Sequence, residues 1–183
     1  MDELLNNRMD LSTLKNNASV PVVIYDDDHY YLASTLAEKV VAAGLDCVFI
    51  TPSPVVASWS SYTLEQTRIQ SRLLKLGVTV ITNHQLAKVE DGLCHLKCVY
   101  TDSIIEQAMS ALIPVTARVP NDALWRALEA RSNDWQSAGI TRIKNLGDSY
   151  APGLIAAAVH AGHAFGTSVA RDAPPVLRED AKL

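Results

Sequence analysis

Three consecutive aspartates stand where a glycine-rich turn belongs, and they set the tightest limit on what this chain can become. Val20–Tyr25 is a run of β-branched and apolar residues suited to a parallel strand covered on both faces. Asp26-Asp27-Asp28-His29-Tyr30-Tyr31 follows as a tight turn. Leu32, Leu36, Val40 and Ala43 then recur at helical spacing, with Glu38 and Lys39 on the far side and Gly44 at the C-cap position. Asp46–Thr51 reads as a second strand. Strand, helix and strand in this order open a nucleotide-binding type of α/β fold.

The turn lacks what a nucleotide needs. Dinucleotide folds place glycines here so that backbone amides and a helix N-terminus can meet a pyrophosphate. The first glycine of this chain is Gly44, and three carboxylates fill the turn instead. They are expected to cap the first amides of the helix and to repel an arriving phosphate. The acid that closes the second strand of an NAD site is also missing, because that strand runs into Thr51-Pro52-Ser53. The unit reads as a dinucleotide-type fold without its pocket, with an acidic ligand or cation site as the alternative.

Length and composition narrow the classes. With 183 residues, 48% hydrophobic and 20% charged, the chain can bury a core for one domain and part of a second. A formal net charge of −4 gives no basic footprint, so nucleic acid is not an expected partner. No apolar run reaches the roughly 20 residues that span a bilayer, so no membrane is expected. Met1-Asp2-Glu3 lacks a signal-peptide core, which makes the cytoplasm the expected location. Cys47, Cys94 and Cys98 fall in strand-like segments with no completing ligand pair, and are expected to be buried thiols rather than a metal site.

Along the chain, residues 1–17 form a polar lead-in arm with a short helical phrase at Asp2–Met9. After the first unit comes a loop with an exposed-type Trp59, then an expected helix over Tyr62–Leu76 and a buried strand over Val78–Thr82. Gln85–Val89, Leu93–Thr101 and Ser103–Glu106 are short strand-like pieces, and the Asp91-Gly92 pair signals a hairpin, so a β-meander is expected. Ala111–Thr116 returns as an apolar strand. Asn121 or Asp122 can cap a helix over Ala123–Arg131, with Trp125 and Leu128 on its buried side. Ile140–Leu146 reads as a strand, and Leu154–Ala170 as an Ala-rich, closely packed helix. Residues 172–183 read as a solvated tail.

The segments VVIYDDDHYY (22–31), LAEKVVAAG (36–44), FITP (49–52), TLEQTR (63–68), RLLKLG (72–77), VTAR (115–118), LGDSYAPG (146–153) and IAAAVHAG (155–162) carry a resemblance. They resemble the C-terminal part of trimethylamine dehydrogenase, histamine dehydrogenase and the N-methyl-amine demethylases of the old-yellow-enzyme-like NADH:flavin oxidoreductases. The resemblance implies a Rossmann-like three-layer parallel sheet with a β-meander: an NAD(P)-binding-like domain at about 18–117. A closing segment of an FAD-reductase-like domain would follow at 118–171. It also implies that the FMN barrel, the iron–sulfur cysteines and the glycine-rich ADP turn of the family lie outside this chain. Their partner role would then fall to those domains or to a partner subunit, with a homo-oligomer as a further arrangement. On this basis the chain is expected to be a fragment or a split subunit that scaffolds an amine-oxidising flavoprotein and is not catalytic alone.

The resemblance places its cofactor-facing residues at Gly147, Asp148, Pro152 and Gly153. In flavoprotein reductases the matching Gly-Asp ends a strand, its carboxylate accepts from the sugar-like chain of the cofactor, and the next helix points its positive end at it. Without a glycine-rich half, ADP, NAD(P)H or FAD would be held weakly here. A stand-alone weak nucleotide module is therefore one alternative, and a pyridine-nucleotide domain is another. His160 and His163 sit one turn apart with no ligand at metal spacing, and no GxSxG elbow or catalytic nucleophile is present.

Overall fold

A computed structural model describes residues 20–171; the lead-in arm and the tail lie outside the described residues. The chain divides into two compact units at Ala117/Arg118, and each is described by itself.

In the first unit, strands β1 (Val22–Asp26), β2 (Cys47–Ile50), β3 (Thr79–Ile81) and β7 (Ala111–Val115) form a parallel sheet in the order β3-β2-β1-β7. Strand β1 is central and buried along its whole length, which explains its unbroken apolar run. Helices α1 (Leu32–Ala42) and α2 (Gln66–Lys75) cover one face of the sheet. Leu36, Val40 and Leu73 meet Val22, Ile24 and Phe49 there. The other face is covered by an antiparallel meander, β4 (His84–Glu90), β5 (Leu93–Cys98) and β6 (Ile104–Ala108). Cys94 and Leu96 of β5 pack on Val23, Tyr25, Val48 and Ile50. The expected α/β sheet with a meander is thus the observed architecture. The β4–β5 turn places Asp91 and Gly92 both at positive φ (49° and 76°), the geometry that Asp-Gly supplies to a tight hairpin.

Two expectations for the segment between β2 and α2 fail. The helix begins at Gln66 instead of Tyr62, because Leu64 takes φ +63° and cannot continue a right-handed turn. Leu64 is consequently exposed and outside the apolar stripe. Trp59 is half-buried instead of exposed: it sits in the 3-10 turn Ser58–Ser61 and stacks on Tyr30.

The second unit contains helices α3 (Ala123–Glu129) and α4 (Ile155–Arg171) joined by two 3-10 turns, Ser132–Asp134 and Gly147–Ser149. Residues 140–146, expected as a strand, have no strand neighbour among the described residues; an apolar pattern cannot supply a ladder partner. Trp125 and Leu128 are only half-buried, and α3 has no buried residue. The two indoles of Trp125 and Trp135 lie 6.5 Å apart, and Trp135 Nε1 donates to the Leu128 carbonyl at 2.9 Å. The close packing expected of the Ala-rich helix is partial, since Ala156 and Ala157 are exposed while Ala158, Ala161 and Ala164 are half-buried.

Candidate functional site

In an open parallel α/β sheet, ligands are taken at the carboxyl ends of the strands, where the connections splay apart. Here that edge is built by the β1–α1 turn and by the loop after β2. Asp26 is the last residue of β1 and is fully buried. Its Oδ1 accepts the amides of Asp28 at 3.2 Å and His29 at 3.1 Å, so the turn closes on a carboxylate of its own. These are the amides that a phosphate would otherwise approach. His29 adopts φ +60°, which folds the turn back. Its carbonyl accepts the Trp59 amide at 3.0 Å, tying the turn to the loop after β2.

The aspartates do not cap α1 as expected. The N-cap position is Tyr31, with no side-chain cap. Its carbonyl instead accepts the Ser34 hydroxyl at 2.6 Å and the Thr35 amide at 3.0 Å. The physical reason is register: β1 extends one residue further than the apolar run, so the Asp26 side chain reaches amides inside the turn and stops short of the helix.

Electrostatics separate Asp26 from its neighbours. Burial, opposed in part by the two amide donors and reinforced by Asp28 and Asp27, pushes the Asp26 carboxyl up to about 7. Its Oδ2 and the Nδ1 of His29 are buried without a hydrogen-bond partner. Asp27 lies outward, with Oδ1 3.5 Å from His29 Nε2. At the end of β2, Thr51 is buried and its hydroxyl oxygen accepts the Ser53 amide at 3.2 Å. No acid stands there to hold a ribose.

The residues assigned by resemblance gather in the second unit. Gly147 opens a 3-10 turn at φ +62°, and Asp148 Oδ1 accepts the Gly153 amide at 3.4 Å. Asp148 is exposed, and Pro152 is half-buried. Residues 140–146, which lead into Gly147, form no strand, and α4 begins at Ile155, two residues beyond Gly153. Asn145 Nδ2 donates to the Ser149 carbonyl at 2.7 Å, an ordering contact outside the set Gly147, Asp148, Pro152 and Gly153, because no residue pattern announces it. Cys47, pushed up to about 12 by burial, and Cys94, raised by the same cause, are inert thiols. The Cys94 thiol meets Met109 Sδ at 3.2 Å. Among the described residues no three His, Cys, Asp or Glu side chains form a metal-holding group, so these cysteines do not fit an iron–sulfur centre.

The profile of the OYE-like second alpha/beta domain matches residues 11–118, more than half of the chain. The chain belongs to that family. A dimethylamine dehydrogenase of Hyphomicrobium sp. (strain x) is 31% identical to this OYE-like chain over 172 residues, covering 84% of it and 23% of the relative. The structure of histamine dehydrogenase from Rhizobium sp. 4-9 superposes with a TM-score of 0.82 at 34% identity, over 97% of this chain and 26% of that one. A 6-hydroxypseudooxynicotine amine oxidase from Pseudomonas geniculata N1 shares the fold, with a TM-score of 0.72 at 22% identity, over 88% of this chain and 23% of that one. The chain spans about a quarter of the length of these relatives. It is related to amine dehydrogenases over most of its own length. No described helix of this OYE-like domain is long and apolar enough to cross a membrane.

Proposed function

We propose that this chain supplies the second α/β module of a flavin-dependent amine dehydrogenase or demethylase and works as a scaffold in it. Residues 18–117 are the NAD(P)-binding-like domain, and residues 118–171 close an FAD-reductase-like domain. FMN and an iron–sulfur centre belong to the parts of such an enzyme outside this chain, either a barrel in the same polypeptide or a partner subunit in the cytoplasm. One observation carries the reading: the carboxylate of Asp26 already holds the amides of Asp28 and His29, the groups a nucleotide phosphate would need. A phosphate there would have to displace a covalently tethered acceptor beside two further acidic side chains, Asp27 and Asp28.

The second reading is a weak nucleotide module at Gly147, Asp148, Pro152 and Gly153. The exposure of Asp148 and its place ahead of the 17-residue helix α4 support it. The contact from Asp148 Oδ1 to the Gly153 amide weighs against it, since that carboxylate already orders its own loop.

Calorimetric titration of the chain with ADP, NADH and FAD decides between the two. The scaffold reading expects no binding in the micromolar range. Micromolar binding that is lost in Asp148→Ala would establish the second reading, and micromolar binding lost in Asp26→Ala would show that the β1–α1 turn does hold a nucleotide.

A further inference from the structure

Asp26 joins two loops from a place poorly suited to charge. It is fully buried, its Oδ1 accepts the amides of Asp28 and His29, and its Oδ2 has no partner. A neutral carboxyl tolerates one dry oxygen, whereas an ionised one needs donors or water at both. Burial, offset in part by the two amides and reinforced by Asp28 and Asp27, pushes this carboxyl up to about 7. On the same turn His29 sets Nε2 3.5 Å from Asp27 Oδ1 and leaves Nδ1 buried without a partner. Among the other elements around Asp26, β1 places Tyr25 before it, β7 places Val115 in register and β2 runs on into Thr51. The first turn of α1 carries no acid or base. Of these only Tyr25 titrates, and burial raises its hydroxyl away from neutrality.

The joint that Asp26 closes is narrow. On one side Asp27 is still bound to the sheet, its amide donating to the Val115 carbonyl at 2.8 Å. On the other, Val56 and Ala57 are fully buried. Gln70 Oε1 accepts the Val56 amide at 3.3 Å, and Gln66 Nε2 donates to the Val56 carbonyl at 3.1 Å. Between these anchors the turn and the loop meet through the Trp59 amide, which donates to the His29 carbonyl at 3.0 Å, and through the Tyr30–Trp59 ring stack. His29 at φ +60° and Ala57 at φ +49° bend the chain at the two margins. Beyond Ala57 the loop holds itself together, with the Ser60 amide on the Ala57 carbonyl at 2.9 Å and the Glu65 amide on the Ser60 carbonyl at 3.0 Å. A piece so bound moves as a body about its ends.

We infer that Asp26 is a proton-operated latch: its neutral carboxyl keeps the β1–α1 turn and the Trp59 loop closed, and its ionisation lets both swing open while the sheet stays folded. Opening brings water to Oδ2, so the open form ionises in the ordinary carboxylate range and the closed form only at about 7. Between those values opening releases one proton, and each pH unit favours it about tenfold. Above that range the closed form is ionised too, and nothing further is gained.

Amide hydrogen exchange followed by NMR on the full chain tests the latch. Protection factors, which divide out base catalysis, are expected to fall about tenfold per pH unit from 5 to 7 at Asp28, His29 and Trp59. The fall should be insensitive to about 1 M urea, unlike exchange at Ile24 and Phe49 in the buried strands, which requires global unfolding. Asp26→Asn keeps an oxygen for the two amides and should flatten the fall at all three positions. His29→Asn keeps the carbonyl that Trp59 uses, in a backbone conformation asparagine tolerates, and should leave the slope unchanged. Level protection of the wild type from pH 5 to 7 overturns the latch, a reading that needs no variant to fold. It is also overturned if Trp59 exchanges with the urea dependence of Phe49, if the slope persists in Asp26→Asn, or if it vanishes in His29→Asn.

Discussion

Asp26 accepts the amide of His29 at 3.1 Å, and the carbonyl of the same His29 accepts the amide of Trp59 at 3.0 Å. One buried carboxylate therefore anchors both loops at the carboxyl edge of the sheet. This carboxylate orders the loops at the sheet edge, and the stability of that edge is tied to the protonation of one group.

That tie predicts a pH profile. The Asp26 carboxyl is raised from 3.8 to about 7 in the folded chain, so between those values the folded state holds a proton that the unfolded state has released. Its contribution to stability is fully present below about pH 4 and is lost as pH rises through 7. The span, about three pH units, corresponds to a loss on the order of 4 kcal/mol. Asp26→Asn keeps an oxygen for the two amides and removes the titration. Denaturant unfolding at intervals from pH 4 to 8 should show wild-type stability falling relative to Asp26→Asn across that range. Parallel curves for the two proteins would contradict the assignment to Asp26.

The packed face predicts costs of another kind. Leu36 on α1 and Leu73 on α2 are both buried and belong to the cluster that includes Phe49. Truncation of either to alanine should cost about 2–5 kcal/mol, read as a lower denaturant midpoint with an unchanged slope. Exposed Leu74, a neighbour on the same helix, should tolerate alanine within about 0.5 kcal/mol.

How much of this was legible in the sequence follows from which forces were local. The strand β1, helix α1 and the Asp91-Gly92 hairpin announce themselves through periodicity and turn chemistry, which act within a few residues. The start of α2 did not, because Leu64 carries no residue-type signal for φ +63°; the hydrogen bonds of the loop impose it. Residues 140–146 misled because a strand is defined by a neighbour. At the site, the replacement of glycine by acid was visible, but the single carboxylate that holds the turn amides was not. That depends on β1 ending at Asp26, a matter of register with Val115 of β7.

The ion pair between Arg72 Nε and Glu38 Oε2, at 3.3 Å, links the two helices of the first unit across their exposed sides. Both side chains are well exposed, so solvent screens the pair. Glu38→Gln should change stability by less than about 1 kcal/mol, and 0.5 M salt should erase the difference. A loss several times larger would mean that the helix pair depends on this contact and not on the apolar cluster beneath it.

Replacing Asp26, Asp27 and Asp28 together by glycine tests whether the turn is merely blocked or truly remade. Glycines would restore the backbone freedom of a phosphate-binding turn and remove all three acidic side chains. At pH 5, where Asp26 keeps its proton in the folded chain, the change removes the acceptor of two turn amides and loosens three backbone positions. The expected loss is about 2–4 kcal/mol, which a thermal melt reads as a drop of roughly 4–16 °C. NADH should still not bind, because β2 ends in Thr51-Pro52-Ser53, where the Thr51 hydroxyl oxygen takes the Ser53 amide and no carboxylate faces a ribose. Two separate features of a dinucleotide site are missing, so restoring one leaves the other unmet. Tight NADH binding by the triple variant would mean that the aspartates alone had closed a pocket otherwise intact.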